Sequence, residues 1–158
     1  PIAKRDTMTV TEVDMTHLHQ DRSIKTSQST PFKPARDLAK ATFLVIGGNG
    51  MHSHENTKKL HQIAETIGAD FGVSRPAAMH AWAPMHCLVG VSGAMTKADV
   101  CLVAGASGAA AFYAGIEKSQ FIVAINKDIR APIVRSADVA IIDDYKAVMN
   151  ELVKIMTT

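Results

Sequence analysis

The sequence predicts an α/β domain, a parallel sheet held between two layers of helices. Three observations predict it. Apolar runs recur at residues 42–48, Val100–Ala104, Phe121–Ile125 and residues 139–142, each followed by a glycine-rich or polar turn. These runs are continuously apolar rather than alternating, as strands covered on both faces are. Segments with apolar spacing of i, i+3, i+4 and i+7 stand after the first and last runs, and such alternation of strand and helix implies right-handed crossovers.

Taken in order, residues 1–38 differ from the rest. "TMTVTEV" alternates as one short strand would, whereas "HLHQDRSIKTSQSTPFKP" is polar and punctuated by Pro31 and Pro34. This reads as an arm or linker, ordered only where a partner surface holds it. The domain proper is expected at residues 39–158. "TFLVIGG" is its first strand. "SHENTKKLHQIAETIG" then sets Leu60, Ile63, Ala64 and Ile67 on one helix face, with Gly68 as a stop. "GASGAAAFYAG" reads as a smooth helix suited to close packing on a sheet. At the end, "DYKAVMNELVKIM" sets Val148, Met149, Leu152, Ile155 and Met156 on one face, with Asp143 or Asp144 as N-cap.

A chain of 158 residues can bury one substantial core. Charged residues are 20% of it and the net charge is +2, so no strong field directs it to nucleic acid or an anionic membrane. No apolar run approaches the roughly 20 residues that cross a bilayer, and no leader pattern precedes the domain. The sequence begins at Pro1, which reads as a processed product or a piece of something longer. Cys87 and Cys101 lack C-x-x-C spacing and sit in apolar surroundings; they read as free buried thiols of a reducing compartment, the cytoplasm. The histidines in "HLH" (His17, His19), "HSH" (His52, His54) and "MHC" (His86) form no recognised metal spacing. Trp82 reads as packing.

In open parallel sheets, ligands collect beyond the carboxyl ends of the strands. Four loops belong there: "GGNG", "GASGAA", "NKDIRAP" and "DDY", and the turn "GVSGA" joins them. Ser-Gly-Ala thus occurs twice, at Ser92 and Ser107, on either side of the run "VCLVAG". One reading is a grip on an extended phosphate-bearing ligand, made from close glycine backbone, hydroxyl donors and free N–H groups. The other is tight capping and packing by small residues. "GGNG" lacks the third glycine of a dinucleotide fingerprint, and no acidic residue follows it in the context an NAD enzyme uses. Nor does any residue stand out as a general base or nucleophile. Lys127 and Arg130 read as solvated surface.

Several motifs together resemble a known family. "VIGGNG", "GADFGVSRPAA", "VGVSGA", "GASGAAAFYAGIEKSQFIVAINKDIRAPI" and "SADVAIIDDY" resemble the C-terminal, FAD-binding domain of the electron transfer flavoprotein alpha subunit and its FixB-like relatives, over residues 35–155. The resemblance implies a nucleotide-binding three-layer fold of the deoxyhypusine-synthase-like NAD/FAD-binding type. It makes the polar arm a link toward an N-terminal domain absent from this chain. It also implies FAD as cofactor, an electron carrier rather than an enzyme, a beta subunit as partner, and an acyl-CoA-type or other dehydrogenase as electron donor.

Carried over by position, the resemblance makes Ser74 and Arg75 flavin-side contacts. Val89, Gly90, Val91 and Ser92 run along the isoalloxazine, Ser92 standing where the family has threonine near flavin N5. Ser107, Gly108, Ala109, Ala110, Ala111 and Phe112 wrap the pyrophosphate and flavin edge. Asn126 and Asp144 hold the ribose and adenine end, the adjoining Tyr145 is a further cofactor contact, and Asn49 lies in the first glycine loop. The chain departs from the family pattern at Val91 and Ala94, where Gln and Lys are usual. It departs again at Ala110, Ala111 and Phe112, where Ile-Gln-His is usual, and at Asn49, where Arg is usual. The adenine end is therefore kept and the isoalloxazine end altered. An alternative follows: a structural module that binds AMP or an ADP-like nucleotide and has lost flavin chemistry. Arg75 is expected to raise a bound flavin's potential unless a salt bridge holds it elsewhere, and Phe112, which cannot donate a hydrogen bond, to lower potential or affinity.

Overall fold

Buried residues along the central strands alternate between two separate cores, which makes the sheet the middle of three layers. A computed structural model of the chain describes residues 37–157; the expected arm, with its "TMTVTEV" strand, His17 and His19, lies outside them apart from Asp37 and Leu38. Five strands pair in parallel: β1 (Phe43–Gly47), β2 (Asp70–Val73), β3 (Val100–Ala104), β4 (Phe121–Ile125) and β5 (Val139–Ile141), in the order β2-β1-β3-β4-β5. Val45, Leu102, Ala104 and Ile125 enter one core. Leu44, Ile46, Cys101, Val103, Ile122 and Ala124 enter the other. Successive side chains of a strand point to opposite faces, so each run had to be apolar throughout.

The first core is closed by α1 (His54–Thr66), α2 (Arg75–Met79) and α5 (Tyr145–Met156); the second receives Phe112 of α3 (Ala110–Tyr113) and Ile133 of α4 (Pro132–Ser136). Leu60, Ile63, Ala64 and Ile67 meet the first core as their spacing predicts. Ser53 caps α1 by accepting from the Asn56 N–H at 3.1 Å, and Gly68 ends it at φ +73°. The expected small-residue helix is shorter than its sequence suggests, one turn at α3 running into further turns.

Two further differences are instructive. β2 carries no strand signature in the sequence, being four residues long and broken by Gly72, where a Cβ would come 2.7 Å from Val89 Cγ2. On α5, Val148, Met149 and Leu152 pack as expected, but Ile155 is 74% and Met156 49% exposed. Ile155 lies about 120° around the helix from Met149, six steps of roughly 100° on, and Val153 takes the inward place. Met156 stands in the final turn. Cys87 and Cys101 are free and buried. Burial pushes the Cys101 thiol up to about 12 and raises that of Cys87, so neither is a thiolate at neutral pH.

Candidate functional site

Strand order reverses between β1 and β3, the position at which open parallel sheets take ligands beyond the carboxyl rim. The two loops are "GGNG" and "GASG", and they are sewn together. The Gly48 N–H donates to the Ala104 carbonyl and the Gly50 N–H to the Gly105 carbonyl, both at 2.8 Å. A Cβ on Gly48 would stand 2.3 Å from the Gly105 oxygen, and one on Gly50 2.8 Å from it. What these glycines admit is the neighbouring loop. Gly108 (φ +81°) does the same service against α4, where a Cβ would meet the Ile133 nitrogen at 2.4 Å.

Over this stitched floor run two adjoining clefts that share Gly50, His52, Gly105, Asn126 and Asp128. The larger, about 560 Å³, is lined further by Asn49, Ser74, Pro76, Ser107, Gly108, Ala109 and Phe112. The smaller, about 230 Å³, is lined by Asn56, Ile125, Lys127, Asp144 and Tyr145. Together they form a trough of the size that small-molecule sites occupy.

One residue of each lining carries a hydroxyl that is buried within the protein and has no hydrogen-bond partner there. Ser74 is 4% exposed and is the N-cap residue of α2, yet its side chain makes no capping bond and its Oγ is buried without a hydrogen bond. Tyr145 Oη is buried and unpartnered as well. A buried polar group left unsatisfied costs about 1–3 kcal/mol, so such groups mark a place where a partner is expected.

The other polar groups of the smaller cleft are engaged. Asn126 clamps two loops: its Nδ2 donates to the Ala106 carbonyl at 2.8 Å and its Oδ1 accepts from the Asp128 N–H at 3.0 Å. One amide hydrogen and one lone pair remain for a ligand. Asp144 is the cap of α5, Oδ1 accepting from the Lys146 N–H at 2.8 Å, while Oδ2 pairs with Lys127 Nζ at 2.8 Å. Lys127 and that capping N–H hold the carboxyl below its usual range. Burial, then the Asp144 charge, raises the Tyr145 phenol, which stays protonated at neutral pH.

The structure gathers Asn49, Ser74, Ser107, Gly108, Ala109, Phe112 and Asn126 in the larger cleft and Asn126, Asp144 and Tyr145 in the smaller. It leaves the others outside both linings. Val89 is 1% exposed with its side chain in the second core, and Gly90 is buried beneath Ala111. Val91 and Ser92 are exposed on a turn pinned to α3, where the Val91 N–H donates to the Ala111 carbonyl at 2.9 Å. That bond ties the Ser92 turn to the helix that follows Ser107. Ala110 and Ala111 are exposed, and so is Arg75, which makes no ion pair among the described residues. Lys127 and Arg130 are exposed and paired with Asp144 and Asp128. His52, which lines both clefts at φ 60°, was visible in the sequence only as part of "HSH"; its place follows from the left-handed turn before the Ser53 cap. Among the described residues no three His, Cys, Asp or Glu side chains gather as a metal site, and no helix is long and apolar enough to cross a membrane.

Fold and trough define a class, the doubly wound α/β domains that hold ligands at the switch point of a parallel sheet. The model of the electron transfer flavoprotein FAD-binding domain family matches residues 37–117. The chain belongs to that family. It is 38% identical over 133 residues to the electron transfer flavoprotein subunit alpha of Clostridium acetobutylicum, covering 82% of this chain and 40% of that one. It is 39% identical over 151 residues to the mitochondrial subunit alpha of Oryza sativa subsp. indica, covering 92% and 41%. Protein FixB of Clostridium saccharobutylicum is 38% identical over 117 residues, covering 74% and 35%. The chain thus spans about two fifths of the length of the curated relatives it matches.

Proposed function

We propose that the trough binds FAD, with adenosine at Asn126, Asp144 and Tyr145, pyrophosphate over Ser107, Gly108 and Ala109, and the flavin toward Ser74, Arg75 and the Ser92 turn. The chain is then the flavin-bearing piece of an electron carrier that works with an electron transfer flavoprotein beta subunit and a dehydrogenase, acyl-CoA-type or other. The observation that carries the reading is the trough itself, two adjoining clefts at the sheet's switch point that gather Asn49, Ser74, Ser107, Asn126, Asp144 and Tyr145. Bound FAD would supply reversible electron acceptance, chemistry that belongs to the cofactor.

The residues supply position and charge. The rim backbone is rigid because the two glycine loops bond each other, so it orients a pyrophosphate without reorganising. Asn126 keeps one donor and one acceptor for ribose. Arg75 offers an uncompensated cation to a flavin that gains negative charge on reduction. Met79, Met85, Val91 and Met95, in the segments before and after the Ser92 turn, are 46–64% exposed, which suits a surface that another domain or subunit covers. A cytoplasmic setting fits the two free thiols.

A second reading has one observation in its favour. Val91 and Ser92 stand outside the cleft linings and Phe112 replaces a hydrogen-bonding residue, so an AMP- or ADP-binding module needs only the smaller cleft and the rim. The purified 158-residue chain, alone and with a beta subunit, distinguishes them by its spectrum. Bands near about 370 and 450 nm, as any oxidised flavin gives, support the carrier; colourless protein releasing AMP on denaturation supports the module. Neither nucleotide after reconstitution with both would end the functional reading.

A further inference from the structure

We infer that His52 carries the positive charge that meets the phosphates of the bound nucleotide, so that binding takes up a proton and weakens as pH rises through neutrality. The inference rests on the nucleotide reading of the trough and adds to it a further residue and a dependence on pH.

The larger cleft, which that reading gives to the pyrophosphate, is nearly without charge. Among the described residues its lining contains no lysine or arginine. Asn49, Ser107 and the loop amides are neutral donors. Asp128, its one carboxylate, accepts from the Arg130 N–H at 2.9 Å and from Arg130 Nε at 3.3 Å. The helices whose cap residues reach this cleft, α2, α3 and α4, are four or five residues long, and peptide dipoles sum only along a helix. A pyrophosphate diester is a dianion, and taking charge out of water without an opposite charge is costly. His52 is the one side chain of this lining that can become positive.

Its position suits that task. His52 lines the smaller cleft as well, which sets it where the two clefts meet. Its backbone is fixed on both sides: the His52 N–H donates to the Asn49 carbonyl at 3.1 Å, and Ser53 caps α1. The turn holds His52 at φ 60°, a conformation uncommon for a residue with a side chain, and such backbone clusters at ligand sites. The imidazole itself is exposed and makes no hydrogen bond, ion pair or ring contact among the described residues. An anchored backbone thus carries an unengaged ring.

The charged groups around it are engaged or change charge at other pH values. In the smaller cleft Lys127 pairs with Asp144, and Asp143 accepts from the Asp144 N–H. Lys146 acts on Glu55, which is itself paired with Lys59. On the same loop as His52, His54 Nδ1 lies 3.1 Å from the Trp82 carbonyl, and His54 lines neither cleft. Arg75 follows Ser74 but lines neither cleft. Carboxylates change charge in acid, and lysine, arginine and phenol in alkali, so between about pH 5 and 8 the trough changes charge at its imidazole. A phosphate oxygen beside an imidazole favours the protonated ring. Affinity is therefore highest in mild acid, falls as pH rises, and levels off once the ring is neutral in the complex too.

Isothermal titration of the 158-residue chain with FAD and with ADP-ribose, alone and with a beta subunit, tests this. The pyrophosphate of either ligand keeps its charge across the range, so a change with pH belongs to the protein. Both should bind about five- to tenfold more weakly at about pH 8 than at about pH 5.5. Near neutral pH the heat should vary with the buffer's ionisation enthalpy in the sense of proton uptake. His52→Asn puts a residue tolerant of left-handed backbone at the same place. It should bind at about pH 5.5 as the parent does at about pH 8, with its pH dependence within twofold, and its ligand-free melting point should stay within about 2 °C of the parent's. His52→Lys, charged throughout, should hold the tight binding at about pH 8. His54→Gln should keep the parent's pH dependence. Parent affinities within twofold across the range, parent-like pH dependence in His52→Asn, or its loss in His54→Gln overturns the inference while the nucleotide reading stands. A parent chain that binds neither ligand under any of these conditions overturns both.

Discussion

The two ends of the trough are built on opposite terms. At the end beneath β4 and β5, Asn126 and Asp144 are already bonded within the protein, Asn126 keeping one donor and one acceptor free. At the end beside α2, Ser74 Oγ has no partner, Arg75 stands exposed, and Val91 and Ser92 face outward. An end whose groups are tied in advance loses little freedom on binding, whereas an open end takes its final geometry from what it binds. Affinity should therefore reside in the first and electronic tuning in the second. Single substitutions separate the two roles.

The largest effect belongs to the floor both ends share. Gly48→Ala sets a methyl 2.3 Å from the Gly105 oxygen and 2.4 Å from the Ala106 nitrogen, all backbone, with no flexible side chain to yield. We expect a loss of about 3 kcal/mol by overpacking, read by thermal or urea unfolding, and loss of ADP binding with it. A stable variant that still binds would mean the loops are not a common foundation.

Phe112 comes next, because it belongs to both the open end and the second core. It is 7% exposed. Phe112→His exchanges buried apolar surface for a polar ring and should destabilise the ligand-free protein by about 2 kcal/mol. The imidazole supplies a donor that phenylalanine lacks, so with FAD bound the midpoint potential should rise or the affinity tighten. Potentiometric titration showing neither change would separate Phe112 from the flavin.

Much of this fold is legible in the sequence, and what escapes is non-local. The α1 face, its end at Gly68, an N-cap at Asp143 or Asp144 and four strands follow from local pattern, since spacing and caps are properties of neighbours in the chain. β2 does not, because its four residues earn strand geometry only by pairing with β1, and Gly72 is explained only by Val89 lying against it. The rim divides the same way. That glycines and hydroxyls crowd the strand ends is plain from the sequence. That Gly48 meets Gly105, that Asn126 clamps rather than hangs free, and that His52 spans both clefts depend on pairing between segments distant in sequence. The resemblance implies Ser74 and Tyr145 as cofactor contacts, but that their hydroxyls are buried without an internal partner is knowable only in three dimensions.

Arg75 tests the open end by itself. It is exposed and has no ion pair among the described residues, so Arg75→Ala should change stability by no more than about 0.5 kcal/mol. A cation near a flavin at an effective dielectric near 20 is worth up to about 4 kcal/mol at 4 Å, and after discounting for solvent its loss should lower the potential by on the order of 60–100 mV. ADP affinity should not move. An unchanged potential would assign tuning to a partner subunit, and a fall in ADP affinity would erase the division between the ends.

The smallest effect tests the tied end, through Asp144. Its side chain caps α5 and pairs with Lys127, but it retains 36% of its exposure and Lys127 71%, so solvent screens the pair and the cap dominates. Asp144→Ala should cost about 1 kcal/mol, and Asp144→Asn, which still caps, only a fraction of that. The pH dependence has a definite sign. Lys127 and the Lys146 N–H hold the native carboxyl below its unfolded value, so the contribution is complete above the pKa of an ordinary aspartate and disappears as pH falls through the lowered native value. The difference in unfolding free energy between parent and Asp144→Asn should therefore be constant at neutral pH and shrink only in the acid range, below the pKa of an unfolded aspartate. If that difference instead varied between pH 6 and 8, groups other than this carboxylate would be organising the adenosine end.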